Sequence, residues 1–123
     1  MERETWIDDA TGLPCIARKN KYGAWCGYVG VPPDHPWTKL GYDVPACVHG
    51  GVTYNEPCDG DPVNGVCHTG PDGRHWIGFD CMHSGDFVPG LSAYIGDVFR
   101  DLSYVKEQCA NLARQAIGAG EQP

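Results

Sequence analysis

Between Asp80 and Asp86 the chain reads Asp80-Cys81-Met82-His83-Ser84-Gly85-Asp86, which gathers two carboxylates, a thiol and an imidazole. These groups can ligate a metal or carry a proton. They directly follow Trp76-Ile77-Gly78-Phe79, an apolar run that reads as a strand. Chemistry-bearing side chains are thus set at the end of a rigid element, beside a glycine, where binding and catalytic residues concentrate. A second cluster, Val48-His49-Gly50-Gly51-Val52-Thr53-Tyr54, lies some thirty residues earlier. If the two segments are neighbouring strands, His49 joins the first group.

Three chemistries suit these residue types. The first is a metal site. Cysteine and histidine recur in close pairs, Cys47-Val48-His49, Cys67-His68 and Cys81-Met82-His83, and Cys58 precedes Cys67. Zinc favours N and S ligands, and C-x-H on an extended strand points both side chains to one face. The candidate ligands are His49, Cys81 and His83. The CxxC and HxxxH spacings of ordinary zinc modules are absent, however, and buried cysteines also serve as small hydrophobes. No cofactor motif stands out; zinc is the metal this pattern would suit.

The second chemistry is nucleophilic catalysis by Cys81, with His49 or His83 as base and Asp80 or Asp86 as orienting carboxylate. Against it, strand alternation places Cys81 on one face with Ile77 and Phe79, which reads as a buried thiol. The third is a ligand pocket built from His49, Gly50, Gly51, Thr53, Asp80, His83 and Asp86. Paired glycines admit close backbone approach, and Trp76, Tyr54, Trp37 and Tyr28 would supply a stacking wall. The competing reading has His49 and Asp80 as hydrogen-bonded core residues. Two further motifs fail. His-Gly-Gly occurs in lipase oxyanion loops, but no G-x-S-x-G elbow is present. Gly27-Tyr28-Val29-Gly30 leads into prolines and not into a helix, so it is no phosphate loop.

The elements that must position these groups follow from periodicity. Segments 13–18 and 24–31 read as strands joined by a hairpin over 19–23. Pro32-Pro33-Asp34-His35-Pro36 stops any ladder. Segments 48–54 and 74–80 are the third and fourth strands, separated by a Gly- and Pro-rich loop in which 66–68 is a short strand. Leu102, Val105, Cys109, Leu112, Ala113 and Ala116 recur at helical spacing and predict a helix over 101–117. Asp101 or Asp97 would cap its start, and Gly118 would be its C′ residue. The expected fold is α+β: a small antiparallel sheet covered by one long C-terminal helix, loop-rich. Residues 1–123 form a single domain with a core over about 13–117 and flexible termini.

Composition bounds the partners. Sixteen acidic residues against nine basic give a net charge of −7, which disfavours binding a nucleic-acid polymer. No apolar stretch reaches membrane-span length, and the charged start Met1-Glu2-Arg3-Glu4-Thr5 is no signal peptide. A cytoplasmic location is expected. The seven cysteines should then be mostly thiols or ligands and not bridges.

Several segments, in order, carry a resemblance. They are Leu13-Pro14-Cys15-Ile16, Cys26-Gly27-Tyr28-Val29-Gly30-Val31-Pro32, His35-Pro36, His49-Gly50-Gly51-Val52-Thr53-Tyr54, Gly78 to Asp86, and Tyr104-Val105-Lys106-Glu107-Gln108-Cys109. Over residues 13 to 115 the chain resembles a family of small uncharacterised proteins carried by bacteriophages and by prophage-bearing bacteria. At His75-Trp76-Ile77-Gly78 it departs from that pattern, where a second aromatic residue is expected near Ile77. The resemblance implies a phage origin and hence the host-cell cytoplasm; it implies no mechanism. By analogy, the expected function is a small soluble accessory protein that binds a small ligand, a nucleotide or a nucleotide-derived defence signal. The alternatives are a metal-dependent hydrolase of such a molecule and a protein that binds and inhibits a host protein.

Overall fold

The computed structural model describes residues 2–58, 65–67, 73–91 and 93–120. Five strands form one antiparallel sheet: β1 (Arg3–Ile7), β2 (Pro14–Lys19), β3 (Trp25–Val31), β4 (Tyr54–Pro57) and β5 (His75–Asp80). Their spatial order is β1-β2-β3-β5-β4. Among the described residues one α-helix, α1 (Leu102–Gly120), follows the sheet. Two 3-10 turns, Pro36–Lys39 and Gly41–Asp43, follow β3.

Strand alternation sends side chains to two faces, and both are covered. On one face Trp25, Val29, Val31, Ile77 and Phe79 share a core with Val105, Cys109, Leu112, Ala113 and Ala116 of α1. Gly27 lets the layers meet closely: a Cβ there would lie 2.6 Å from the Phe79 ring and 2.8 Å from Cys109 Sγ. On the other face Ile16, Cys26, Tyr28 and Trp76 pack with Val66 and Cys67. Double coverage explains why all seven residues of β3 are buried.

The α+β class and the sheet-plus-helix architecture agree with expectation. β2, β3 and β5 fall within a residue or so of their predicted positions. α1 begins at Leu102, and Asp101 caps it by accepting the Tyr104 N–H at 2.9 Å. It runs on to Gly120, so Gly118 lies inside the helix and is not its C′ residue.

Four expectations are corrected. First, the predicted strand 48–54 is mostly a turn, and β4 begins only at Tyr54. Gly50 (φ 70°) and Gly51 (φ 81°) adopt left-handed conformations that no ladder accepts, and Gly51 N–H closes the turn on Val48 C=O at 2.9 Å. Second, the N-terminal segment is β1, paired to β2 from Arg3↔Arg18 to Ile7↔Pro14, and not a flexible tail. Third, Cys58 and Cys67 form a disulfide across Cα atoms 5.2 Å apart, one bridge within a set expected to be mostly thiols or ligands. The other five cysteines are free, and only Cys47 is exposed. Fourth, Val66 and Cys67 are not in a strand, and His68 lies outside the described residues. Among the described residues no helix is long and apolar enough to cross a membrane.

Candidate functional site

The site forms where the 47–51 turn and the 81–86 turn meet the first half of α1. The helix grips the first turn through a polar stripe. Gln115 Oε1 accepts the Cys47 N–H at 2.8 Å, while Gln115 Nε2 and Asn111 Nδ2 both donate to Cys47 C=O at 2.9 Å. Gln108 Oε1 accepts the His49 N–H at 3.0 Å. Side chains of the helix thus replace the ladder that this segment lacks.

His49 is held at both ring nitrogens. Nε2 lies 2.8 Å from Asp86 Oδ2 and Nδ1 lies 2.7 Å from the Tyr104 hydroxyl. Asp86 also accepts the His83 backbone N–H at 3.0 Å and Arg100 Nε at 3.1 Å. Its side chain is only 1% exposed. Burial alone would raise the Asp86 carboxyl. The hydrogen bonds from His49, His83 and Arg100, with the His49 charge, outweigh that and hold it below its ordinary value. Asp86 is therefore ionised at neutral pH and accepts from His49 Nε2–H, while His49 Nδ1 shares a hydrogen bond with the Tyr104 hydroxyl. Burial raises the Tyr104 hydroxyl, keeping it a proton donor.

A second histidine–aspartate pair stands beside the first, the two imidazole centroids being 5.9 Å apart. His83 Nε2 lies 3.1 Å from Asp80 Oδ1 but off the line of a hydrogen bond. Asp80 is fixed by the Thr53 hydroxyl at 3.0 Å and the Met82 N–H at 3.1 Å. Both side chains are about one-third exposed. The His83 ring rests on Gly50, where a Cβ would fall 2.1 Å from its atoms. Gly51, by contrast, faces open space.

A depression of about 510 Å³ opens next to His83. Val88, Leu91, Tyr94 and Ile95 supply apolar surface, and His83 and Asp97 supply polar groups. The loop that forms it is anchored at its base: Phe87 N–H donates to Val98 C=O at 2.8 Å and Val98 N–H to Gly85 C=O at 2.9 Å. Gly90 N–H is bonded to Tyr22 C=O at 2.7 Å, and Tyr94 N–H to Asp97 Oδ2 at 2.8 Å. Tyr94 is 81% exposed and Ile95 fully so.

His49, Gly50, Thr53, Asp80, His83 and Asp86 are thus neighbours, while two other expectations fail. Cys81 packs in the helix-side core, and burial first, then the Asp86 charge, pushes its thiol up to about 12. A thiol of that kind is little ionised at neutral pH and is a weak nucleophile. Of the expected zinc ligands His49, Cys81 and His83, His49 has both ring nitrogens engaged by Asp86 and Tyr104. Among the described residues no group of three or more His, Cys, Asp or Glu side chains is arranged to hold a metal ion. The stacking wall also dissolves: Tyr28, Tyr54 and Trp76 belong to the cluster on the face away from α1, and Trp37 is buried in the helix-side core.

Sequence reasoning missed Arg100, Tyr104, Gln108 and the loop over 88–97. A signal existed for the helix. Tyr104, Gln108, Asn111 and Gln115 recur at spacings of four, three and four, a polar stripe on an amphipathic helix.

The fold and site define a small α+β protein carrying two adjoining histidine–aspartate pairs. No protein-family model, curated protein or solved structure matches the chain.

Proposed function

We propose that this chain is a small-molecule-binding protein of the phage-borne kind its motifs resemble, acting in the host cytoplasm, with its ligand in the depression beside His83. A nucleotide or nucleotide-derived signal is the ligand that the phage resemblance suggests. One observation carries the reading. His83 is an imidazole about one-third exposed at the rim of an apolar-walled depression; its Nε2 is turned inward toward Asp80 and Gly50, so the exposed part of the ring faces the depression. Apolar walls with a few directed polar groups are the ordinary composition of ligand sites. Asp80 and Gly50 hold the ring in place.

The test is a ¹H–¹⁵N NMR titration with a fragment set that includes nucleotides. Shifts are expected at His83, Tyr94 and Asp97, and His83→Ala should abolish them while its melting temperature stays within a few degrees of wild type. Binding that persists in His83→Ala, or a large loss of stability in that variant, would overturn the assignment.

The loop favours a second reading. Phe87, Leu91, Tyr94, Ile95, Val98 and Phe99 are all exposed within thirteen residues, and such clustering of apolar side chains marks protein-binding surfaces. Under this reading a host protein is the partner. Capture of one host protein by the wild type, lost in a Tyr94→Ser/Ile95→Ser variant, would support it.

A further inference from the structure

We infer that the depression takes a small ring compound bearing a protonated nitrogen, and not a phosphate ester. This rests on the small-molecule reading above, and it replaces the nucleotide suggested there by the phage resemblance with a ligand class read from the lining.

Electrostatics at the rim carry the argument. Phosphate sites are built from Arg or Lys side chains or from the free N–H groups of a helix start. Among the described residues no Lys or Arg lines the depression. The Arg100 guanidinium, which reaches the lining residue Asp86, is committed to that carboxylate and lies 5.0 Å from the centroid of the Tyr104 ring. The start of α1 is already occupied by its own carboxylate, Asp101, on the Tyr104 N–H. What the depression does present is acceptors. Asp97 spends Oδ2 on the Tyr94 N–H and keeps Oδ1. The Asp86 charge is matched by Arg100 and adds little to the balance.

The apolar side fits the same ligand. Tyr94 offers an aromatic face on which a cation is attracted by the ring quadrupole. Val88 and Leu91 give a ring its hydrophobic contact. A nucleotide with its base against Tyr94 would bring its phosphates toward Asp97 with no cation to meet them.

A matched indole series isolates the charge: tryptamine (cation), tryptophol (neutral) and indole-3-acetate (anion), with AMP as the phosphate probe. Dissociation constants come from NMR titration of the whole chain at His83, Tyr94 and Asp97. Tryptamine should bind about three- to tenfold tighter than tryptophol, the scale of one partly exposed charge-assisted contact. Indole-3-acetate and AMP should be weaker still. Asp97→Asn, which keeps the acceptor for Tyr94 N–H, should erase most of the tryptamine advantage, its spectrum confirming the fold. If AMP or indole-3-acetate matches tryptamine at these resonances, or the preference survives Asp97→Asn, the ligand class is overturned while the depression stands as a site. If none of the four probes moves those resonances, both the class and the small-molecule reading fall.

Discussion

His49–Asp86 and His83–Asp80 use the same two residue types a few ångströms apart, yet they do different work. In the first pair every strong hydrogen-bonding group is occupied: the carboxylate by three donors, the imidazole at both nitrogens. That pair ties the 47–51 turn, the 81–86 turn and the start of α1 into one body. In the second pair Asp80 is well held, but the His83 ring has no hydrogen-bond partner among the described residues. The contrast teaches that a histidine–aspartate contact is not by itself a sign of chemistry. The buried pair is a joint, and the partly exposed pair beside it is the one a ligand can reach.

The sharpest way to break this comparison is to remove each carboxylate in turn. Asp86→Ala strands the mostly buried His49 ring and a backbone N–H and frees the partly exposed Arg100, and should cost about 2–3 kcal/mol of folding stability. Asp80→Ala loses a partly exposed acceptor and should cost only about 1 kcal/mol. Urea unfolding of both variants measures the difference, and equal losses would mean that the two pairs are alike. Next in size is Gly50→Ala. It forces a Cβ into a left-handed backbone, at about 1–2 kcal/mol, and into the His83 ring. The His83 resonances should shift while those of Tyr104 and Gln108 hold; movement of all three would show that the two pairs are not separable.

The smallest effect is one of pH. Because the folded state holds Asp86 below its ordinary value, its contribution is complete above the unfolded carboxylate range of about 4. It is lost as pH falls through the folded value. Asp86→Asn should be less stable at neutral pH, but its urea midpoint should fall less steeply on acidification below about pH 4. Parallel curves would mean that Asp86 is protonated alike in both states.

Much of this was legible in the sequence, and the failures have physical causes. β2, β3, β5 and α1 show in the sequence because each buries a periodic face. The 81–86 turn is visible because polar groups crowd a strand end. Segment 48–54 misleads because Val48, Val52 and Tyr54 alternate like a strand, while the paired glycines between them permit conformations that alternation cannot reveal. β1 hides because an edge strand with half-exposed side chains carries charges and little apolar pattern. The Cys58–Cys67 bridge depends on how a loop closes, which spacing alone does not fix. Arg100 and Tyr104 escaped because neither lies near the motif in sequence; only the chain's return through α1 brings them to Asp86 and His49.

The polar stripe on α1 has a further consequence. Tyr104, Gln108, Asn111 and Gln115 meet the 47–49 segment like teeth on a rack, each engaging a fixed point. A helix advances about 100° per residue, so its rotational phase is set by residue count. One residue inserted between Tyr104 and Gln108 would turn the upstream tooth away from the other three, separating the Tyr104 hydroxyl from His49 while Gln108 still held the His49 backbone. The length of this helix segment is therefore under tighter constraint than its composition: Leu, Met or Ile can trade places on the core side, but the count between teeth cannot change.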